Sequence, residues 1–569
     1  MNFLRDCNVL VLGLGESGLA MARWCARQGA AVRVWDSREQ PPHADALRRE
    51  LPQVALFSGE LGDALPEGVN LVLKSPGLVP HDARIAPLLA SARATGIAVM
   101  AEVDLFMQAL ADLKLQTAQE AREAQAAQAA EQAAEQAAAA QAEAAADEGN
   151  ESGAEPAATE DAAPAPVIVP PPPPEPGYTP AVIAITGTNG KTTTTAMTGL
   201  LVARTGRRTA VAGNIMPTML DRLMAMLDGP RDEWVQVWVL ELSSFQLADA
   251  QSFEPQAAAV LNLTQDHLDW HGGMPAYGAA KARVFGQRAV MVVNRDDAQV
   301  ESMVPAPVVT KAGRGKPVVT QRSVLRFGRA APERPGDFGL VVENGMAWLV
   351  RALPVDETLK RRKDEEVEIH LQRLMPADAL RVRGRHNAAN ALAALALATA
   401  IGCPLAPMLH GLREYAGEPH RVEWVGTVGG IEAFDDTKGT NVGATVAALD
   451  GLGADKAPGR LVVILGGDGK GQDFAPLRGP VQRSARAVAL IGRDAPQIQA
   501  ALADAGVPMQ QHDTLPEAVA WCFAQAQAGD AVLLSPACAS LDMFRNYVHR
   551  GEVFVDAVKA LAADRGETI

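Results

Sequence analysis

The chain has 569 residues, 48% apolar and 21% charged, enough for several hydrophobic cores, which excludes both a disordered polymer and a single small domain. Its formal charge of −15 is concentrated: residues 112–180 hold 13 acidic and 2 basic side chains, −11 of the total. The remainder is only mildly acidic, and no basic stripe marks a nucleic-acid partner.

The N-terminal stretch opens with an apolar strand, Asn8 to Leu12, and then Gly13, Gly15 and Gly18 in G-L-G-E-S-G before an Ala/Met-rich helix. This is a glycine turn at a first βα junction, and the next strand, Ala31 to Trp35, ends at Asp36, where a carboxylate can accept from a ribose hydroxyl. The turn suits a nicotinamide dinucleotide or a UDP-sugar, so a Rossmann oxidoreductase is the competing reading. Against it, neither a second mononucleotide-binding half nor a hydride-transfer histidine is evident. A third strand, Leu71 to Lys74, runs into Ser75-Pro76-Gly77, again at a carboxyl end where open α/β sheets bind ligands.

From residue 112 the composition changes. Residues 116–146 are nearly all Ala, Gln and Glu, which favours a solvated helix but offers no continuous apolar stripe. Residues 147–176 are rich in Gly, Glu, Ala and Pro and end in a run of prolines. The whole segment reads as a linker or surface insertion, with disorder favoured over a partner-binding role. The five cysteines are scattered without a CxxC pair, which argues against a disulfide framework and a zinc site. There is no signal-type h-region and no apolar run of membrane-spanning length, so a cytoplasmic chain without membrane insertion is the expectation.

The central stretch is V-I-A-I-T-G-T-N-G-K-T-T from Val182: a buried strand, a turn at Gly187 and Gly190, and a helix starting near Lys191. Backbone N–H groups of such a turn converge at the positive end of a helix, Lys191 supplies a cation for the outer phosphates, and the Thr192 hydroxyl can ligate Mg²⁺. Ile185 stands where the usual eight-residue P-loop has glycine, so the loop is a shortened variant. A strand over residues 235–240 ends at Glu241, the position of a Mg²⁺-binding carboxylate. Another, over residues 257–263, leads into Thr264-Gln265-Asp266-His267-Leu268-Asp269, a cluster suited to metal or acid–base work. Residues 304–380 show short strand-like runs and a charged insert at 360–368. Further βα units near residues 461–465 and 531–534 form a last nucleotide-fold-like domain. There Cys538 has no activating histidine and reads as structural.

T-G-T-N-G-K-T-T, E-L-S-S-F-Q-L and N-L-T-Q-D-H-L-D-W-H, with Ala279-Ala280-Lys281 downstream, resemble the Mur ligases, and the S-S-F-Q-L version resembles their D-glutamate-adding branch. The resemblance covers all but about residues 112–177. It implies an α/β chain of three domains: an N-terminal Rossmann-like UDP-sugar domain (1–111), the insertion (112–178), a central P-loop ATPase-like domain (179–418) and a C-terminal Rossmann-like D-glutamate domain (419–569). The implied activity is ATP-dependent amide formation between UDP-N-acetylmuramoyl-L-alanine and D-glutamate through an acyl phosphate, by a monomer. Other Mur ligases and folylpolyglutamate synthetases are the alternatives within the class.

Residue by residue, the resemblance gives ATP to Gly187, Thr188, Asn189, Gly190, Lys191, Thr192, Thr193, Asn387, Asn390, Arg421 and Asp436. It gives catalysis to Lys191, Glu241, His267 and Lys281, and two Mg²⁺ sites to Thr192, Glu241, His267 and a carbamylated Lys281. Gly15, Glu16, Ser17, Asp36, Ser37, Ser75, Gly77 and Asn214 fall to the UDP-sugar, and Lys438, Thr440, Lys470, Ser540, Leu541 and Tyr547 to D-glutamate. Three residues depart from relatives: Glu16 where some are apolar, Met216 where glycine is usual, and Tyr547 where some have phenylalanine.

Overall fold

The computed structural model describes residues 3–147, 177–310, 318–356, 368–382 and 384–569. Most of residues 147–176, with their proline run, and of the charged insert at 360–368 lie outside the described residues.

Three parallel-stranded sheets organise the chain. The N-terminal sheet has the strand order Ala55–Phe57, Ala31–Trp35, Asn8–Leu12, Leu71–Lys74, Ala98–Met100. All its pairs are parallel, and the order reverses beside the glycine turn that follows Leu12. The central sheet runs Val324–Phe327, Val290–Asn294, Ala257–Val260, Ala181–Thr186, Val237–Glu241, Thr209–Gly213, also wholly parallel. All five residues of Val237–Glu241 are buried, as expected of a strand covered on both faces. The less legible stretch after it forms a three-stranded antiparallel sheet, Phe338–Glu343, Met346–Pro354 and Ile369–Pro376. Helix Arg385–Ala400 lies against helix Lys191–Arg204, its alanines allowing close approach within a shared core. The C-terminal sheet has six strands, parallel except for the edge pair Glu423–Val428 and Ile431–Asp435.

The Ala/Gln/Glu-rich half of the insertion is helical, as its composition favours, and it belongs to one helix, Glu102–Asp147, that starts before residue 112. The reason is local: Val103, Leu105, Phe106, Ala109, Leu110 and Leu113 form a buried stripe at helical spacing, and helix-favouring Ala, Glu and Gln carry the helix outward. From residue 122 to 139 every side chain is exposed. The chain returns at Tyr178, whose N–H donates to Thr117 Oγ1 at 2.6 Å, so the excursion begins and ends at one place. Excising residues 119–176 across a short glycine bridge is therefore expected to change Tm by no more than about 2 °C and to leave turnover intact. Thermal melts and steady-state rates check this; a large loss of either would make the projecting helix part of the working fold.

The first two domains are locked through carboxylates of that helix. Asp104 Oδ1 accepts from the N–H groups of Gln251 (2.8 Å) and Ser252 (3.3 Å). Glu102 Oε1 accepts from Leu220 N–H at the start of helix Met219–Leu227, where the helix dipole favours an anion. Buried Lys74 donates to Asp249 at 2.7 Å.

Candidate active site

The phosphate loop sits where strand Ala181–Thr186 meets helix Lys191–Arg204, and Gly187 (φ 151°) and Gly190 (φ 80°) take backbone conformations that side chains disfavour. Asn262 holds the loop from the next strand's end, accepting from Asn189 N–H at 2.8 Å and donating to Asn189 O at 3.1 Å. The Thr188 hydroxyl meets Tyr277 Oη at 3.0 Å and donates to Thr264 O at 3.1 Å. Lys191 Nζ folds back onto the loop, donating to Gly187 O (3.0 Å) and Thr188 O (2.8 Å).

Lys281 comes to the same carbonyl from helix Met274–Ala282, donating to Gly187 O at 2.8 Å. It is 1% exposed, and burial together with the neighbouring Lys191 charge holds its amine well below the ordinary lysine range. Glu241, also buried, accepts from Asn214 Nδ2 at 2.9 Å through Oε1, while its buried Oε2 has no hydrogen-bond partner among the described residues. An unpartnered buried carboxylate oxygen beside a phosphate loop fits a hard cation, and that oxygen is the test by which this donor set suits Mg²⁺. His267 has a left-handed backbone (φ 53°), packs its ring on Phe245 (4.6 Å) and lies 3.5 Å from Asp266. Burial lowers its pKa, leaving a lone pair available at neutral pH.

The C-terminal domain closes over this loop. Arg421 Nη2 donates to Thr192 Oγ1 at 2.8 Å, and Lys470 Nζ stands 3.9 Å from Asp266. A narrow cleft between the domains is lined by Asn189, Gly190, Thr193, Asn387, Asn390, Arg421 and Asp436, which places these distant residues around one space. Asp436 accepts from Ser535 Oγ at 2.7 Å, and burial pushes its pKa up to about 7. Lys438 lies 5.5 Å from the Tyr547 ring, so the tyrosine keeps an aromatic face on this cation. Arg550, fully buried, ties the two loops of this half together. It donates to Thr437 O (2.9 Å) and to Cys538 O (3.1 Å), next to Lys438 on one loop and to Ser540 on the other.

Some expected contacts are arranged otherwise. Asp36 is already engaged by Leu14 N–H (2.7 Å) and bidentately by Arg38, so a ribose hydroxyl must share or displace Arg38. Gly15 caps the helix after the first glycine turn, Ser17 reaches Glu102, and Glu16 lies 3.3 Å from His43. Ser75 Oγ donates to Gly13 O at 2.9 Å, whereas Gly77 is exposed, Ser37 half-buried, and Asn214 turns to Glu241. Ser540 is buried, Thr440 half-buried, and Leu541 is 73% exposed. Met216 is exposed. Asn262, the first residue of N-L-T-Q-D-H-L-D-W-H, holds the loop, while Asn441 and Arg550 are functional positions beyond those expected; each lies at the start of a helix, beside Gly443 or Gly551.

Three family models match the chain: "Mur ligase MurD-like, N-terminal domain" over residues 7–101, "Mur ligase middle domain" over 185–321 and "Mur ligase, glutamate ligase domain" over 420–538. A UDP-N-acetylmuramoylalanine--D-glutamate ligase of Polaromonas sp. is 57% identical, covering 100% of both chains. One of Albidiferax ferrireducens is 54% identical, covering 100% of this chain and 98% of its own. Among solved structures, the MurF ligase of Thermotoga maritima in complex with ADP aligns over 99% of this chain and 96% of its own, at 14% identity and a TM-score of 0.50. No described helix is long and apolar enough to cross a membrane.

Proposed function

The chain belongs to the Mur ligase family, and from that membership we propose how its three domains share one reaction. It is an ATP-dependent ligase that adds D-glutamate to UDP-N-acetylmuramoyl-L-alanine, as do the relatives matched over its full length. The N-terminal domain, residues 1–111, holds the nucleotide sugar, the central domain, residues 179–418, ATP, and residues 419–569 D-glutamate.

A carboxylate is inert to an amine at neutral pH until one of its oxygens is made a leaving group. The muramoyl-alanine carboxylate oxygen attacks the γ-phosphorus, the bond to ADP breaks, and an acyl phosphate forms. The neutral amine of D-glutamate then attacks the carbonyl carbon, loses a proton, and expels phosphate. Catalysis of the first step is positioning and charge neutralisation. Lys191 leaves its loop carbonyls for the phosphates, Arg421 adds a cation from the closing domain, and Asn387 and Asn390 face the adenosine side of the cleft. Glu241, Thr192 and His267 would hold Mg²⁺, which neutralises phosphate charge. Lys281, whose burial favours the neutral amine, would add to CO₂: its lone pair forms the N–C bond, a proton leaves, and the carbamate oxygens would serve as ligands for a second Mg²⁺.

The observation that carries this reading is the convergence of Lys191 and Lys281 on one loop carbonyl, beside a carboxylate oxygen left without a partner. An ADP-release assay with the nucleotide sugar and, in turn, D-glutamate, L-glutamate, L-alanine, L-lysine and meso-diaminopimelate tests it. Turnover with D-glutamate alone is expected; strong turnover with another amino acid would defeat it.

Lys438, Thr440, Lys470, Ser540, Leu541 and Tyr547 are assigned to D-glutamate, and Lys438 gives a pH test. Burial, and then Arg421, bring its pKa down to about 8. Its charge is present below that value and lost above it, so the KM for D-glutamate is expected to rise as pH passes about 8, while a Lys438→Arg variant holds its charge and shifts the rise upward. Initial rates over a pH series check this.

A further inference from the structure

Besides the Arg421–Thr192 hydrogen bond, the phosphate loop meets the C-terminal domain through a neutral side-chain pair. Asn441 Nδ2 donates to Asn189 Oδ1 at 2.9 Å, and Asn189 Nδ2 donates to Asn441 Oδ1 at 3.2 Å, a reciprocal amide pair joining residues 252 apart in sequence. Each partner is fixed on its own side. Asn189 has both its backbone N–H and C=O held by the Asn262 side chain, so its place in the loop is set. Asn441 is 4% exposed and caps helix Val442–Lys456, accepting from Ala444 N–H at 2.9 Å. Its Nδ2 also lies 3.4 Å from Asp266 Oδ2.

A second observation concerns the neighbouring glycine. A Cβ on Gly443 would stand 2.7 Å from Thr264 Oγ1 and 3.1 Å from Asn189 Nδ2, so the helix start is shaped to let the two domains approach. The contact therefore consists of a donor–acceptor pair and a gap that only glycine leaves.

We propose that Asn441 is a positioning residue that makes closure of the C-terminal domain and setting of the phosphate loop a single event, so that ATP is aligned for transfer only when the amino-acid domain is in place. Asn441 touches no reacting atom. It acts through Asn189, and the inference rests on the ligase reading above. Amine and phosphoryl donor then become competent together, which limits loss of an acyl phosphate to water before the amine arrives.

The test is Asn441→Ser, whose hydroxyl still caps the helix but is too short to reach Asn189. Expected are an unchanged Tm, an unchanged Kd for the nucleotide sugar, and a fall of about tenfold in kcat/KM for both ATP and D-glutamate, the size expected of two neutral hydrogen bonds. Gly443→Ala, which keeps Asn441 but wedges the contact, is expected to lower the same two ratios. In a double-mutant cycle, Asn441→Ser with Asn189→Ala is expected to lose little more than the worse single variant. Parental kinetics in Asn441→Ser, a loss confined to one substrate, or additive losses in the cycle would each overturn the inference. Failure of the ligase reading itself shows separately, as absence of D-glutamate-dependent ADP release by the parent enzyme.

Discussion

Lys191→Ala is expected to fold, to bind the nucleotide sugar, and to lose ligation by at least about a thousandfold in kcat. The size follows from where the charge sits. Lys191 opens helix Lys191–Arg204, whose N-terminus would face the phosphates of ATP bound as proposed, and its neighbours Asn189, Gly190 and Thr193 line the cleft between the domains. Burial lowers its pKa while the nearby Glu241 and Asp266 charges raise it, and a bound phosphate would favour the ammonium further. Without the cation the helix N-terminus still holds the nucleotide, so KM for ATP should change far less than kcat. Near-parental kcat in a correctly folded variant would remove Lys191 from the phosphoryl transfer.

The second large effect is at Lys281. A lysine with 1% exposure, donating only to loop oxygens and facing another cation, is a poor structural choice unless its neutral form is used. Lys281→Ala is expected to reduce kcat by about a hundredfold or more, since the proposed carbamate could then supply no oxygen ligand to a metal. Depleting CO₂ and bicarbonate should slow the parent reversibly and leave the variant's residual rate unchanged. Activity of the parent that is indifferent to CO₂ would contradict carbamate formation, even if the variant were inactive.

How much of this was legible in the chain depended on the distance over which each feature is decided. The strands Asn8–Leu12, Ala31–Trp35, Leu71–Lys74 and Ala531–Leu534 stand where apolar runs bounded by turns place them, because parallel strands buried on both faces need such runs. The phosphate loop was readable for the same reason: its strand, glycines and helix start are contiguous. The solvated helix favoured over residues 116–146 is the outer part of a longer one, and the change in composition at 112 masked its continuity with the packed stripe where it begins. Contacts such as Arg421 with Thr192, or Asn189 with Asn441, join residues more than 200 positions apart and exist only when two domains close, so no local pattern encodes them. Asp36 shows the reverse: the strand-end carboxylate was placed correctly, yet its occupancy by Arg38, two residues on, is a side-chain choice that the spacing leaves open.

The activation step can be read from a single atom. With ¹⁸O in the carboxylate of UDP-N-acetylmuramoyl-L-alanine, complete turnover with ATP and D-glutamate should deliver one labelled oxygen per turnover into inorganic phosphate, detected by the isotope shift in its ³¹P spectrum. Phosphate free of the label, formed alongside the amide product, would show that the carboxylate never bonded to the γ-phosphorus and would contradict an acyl phosphate made at this site.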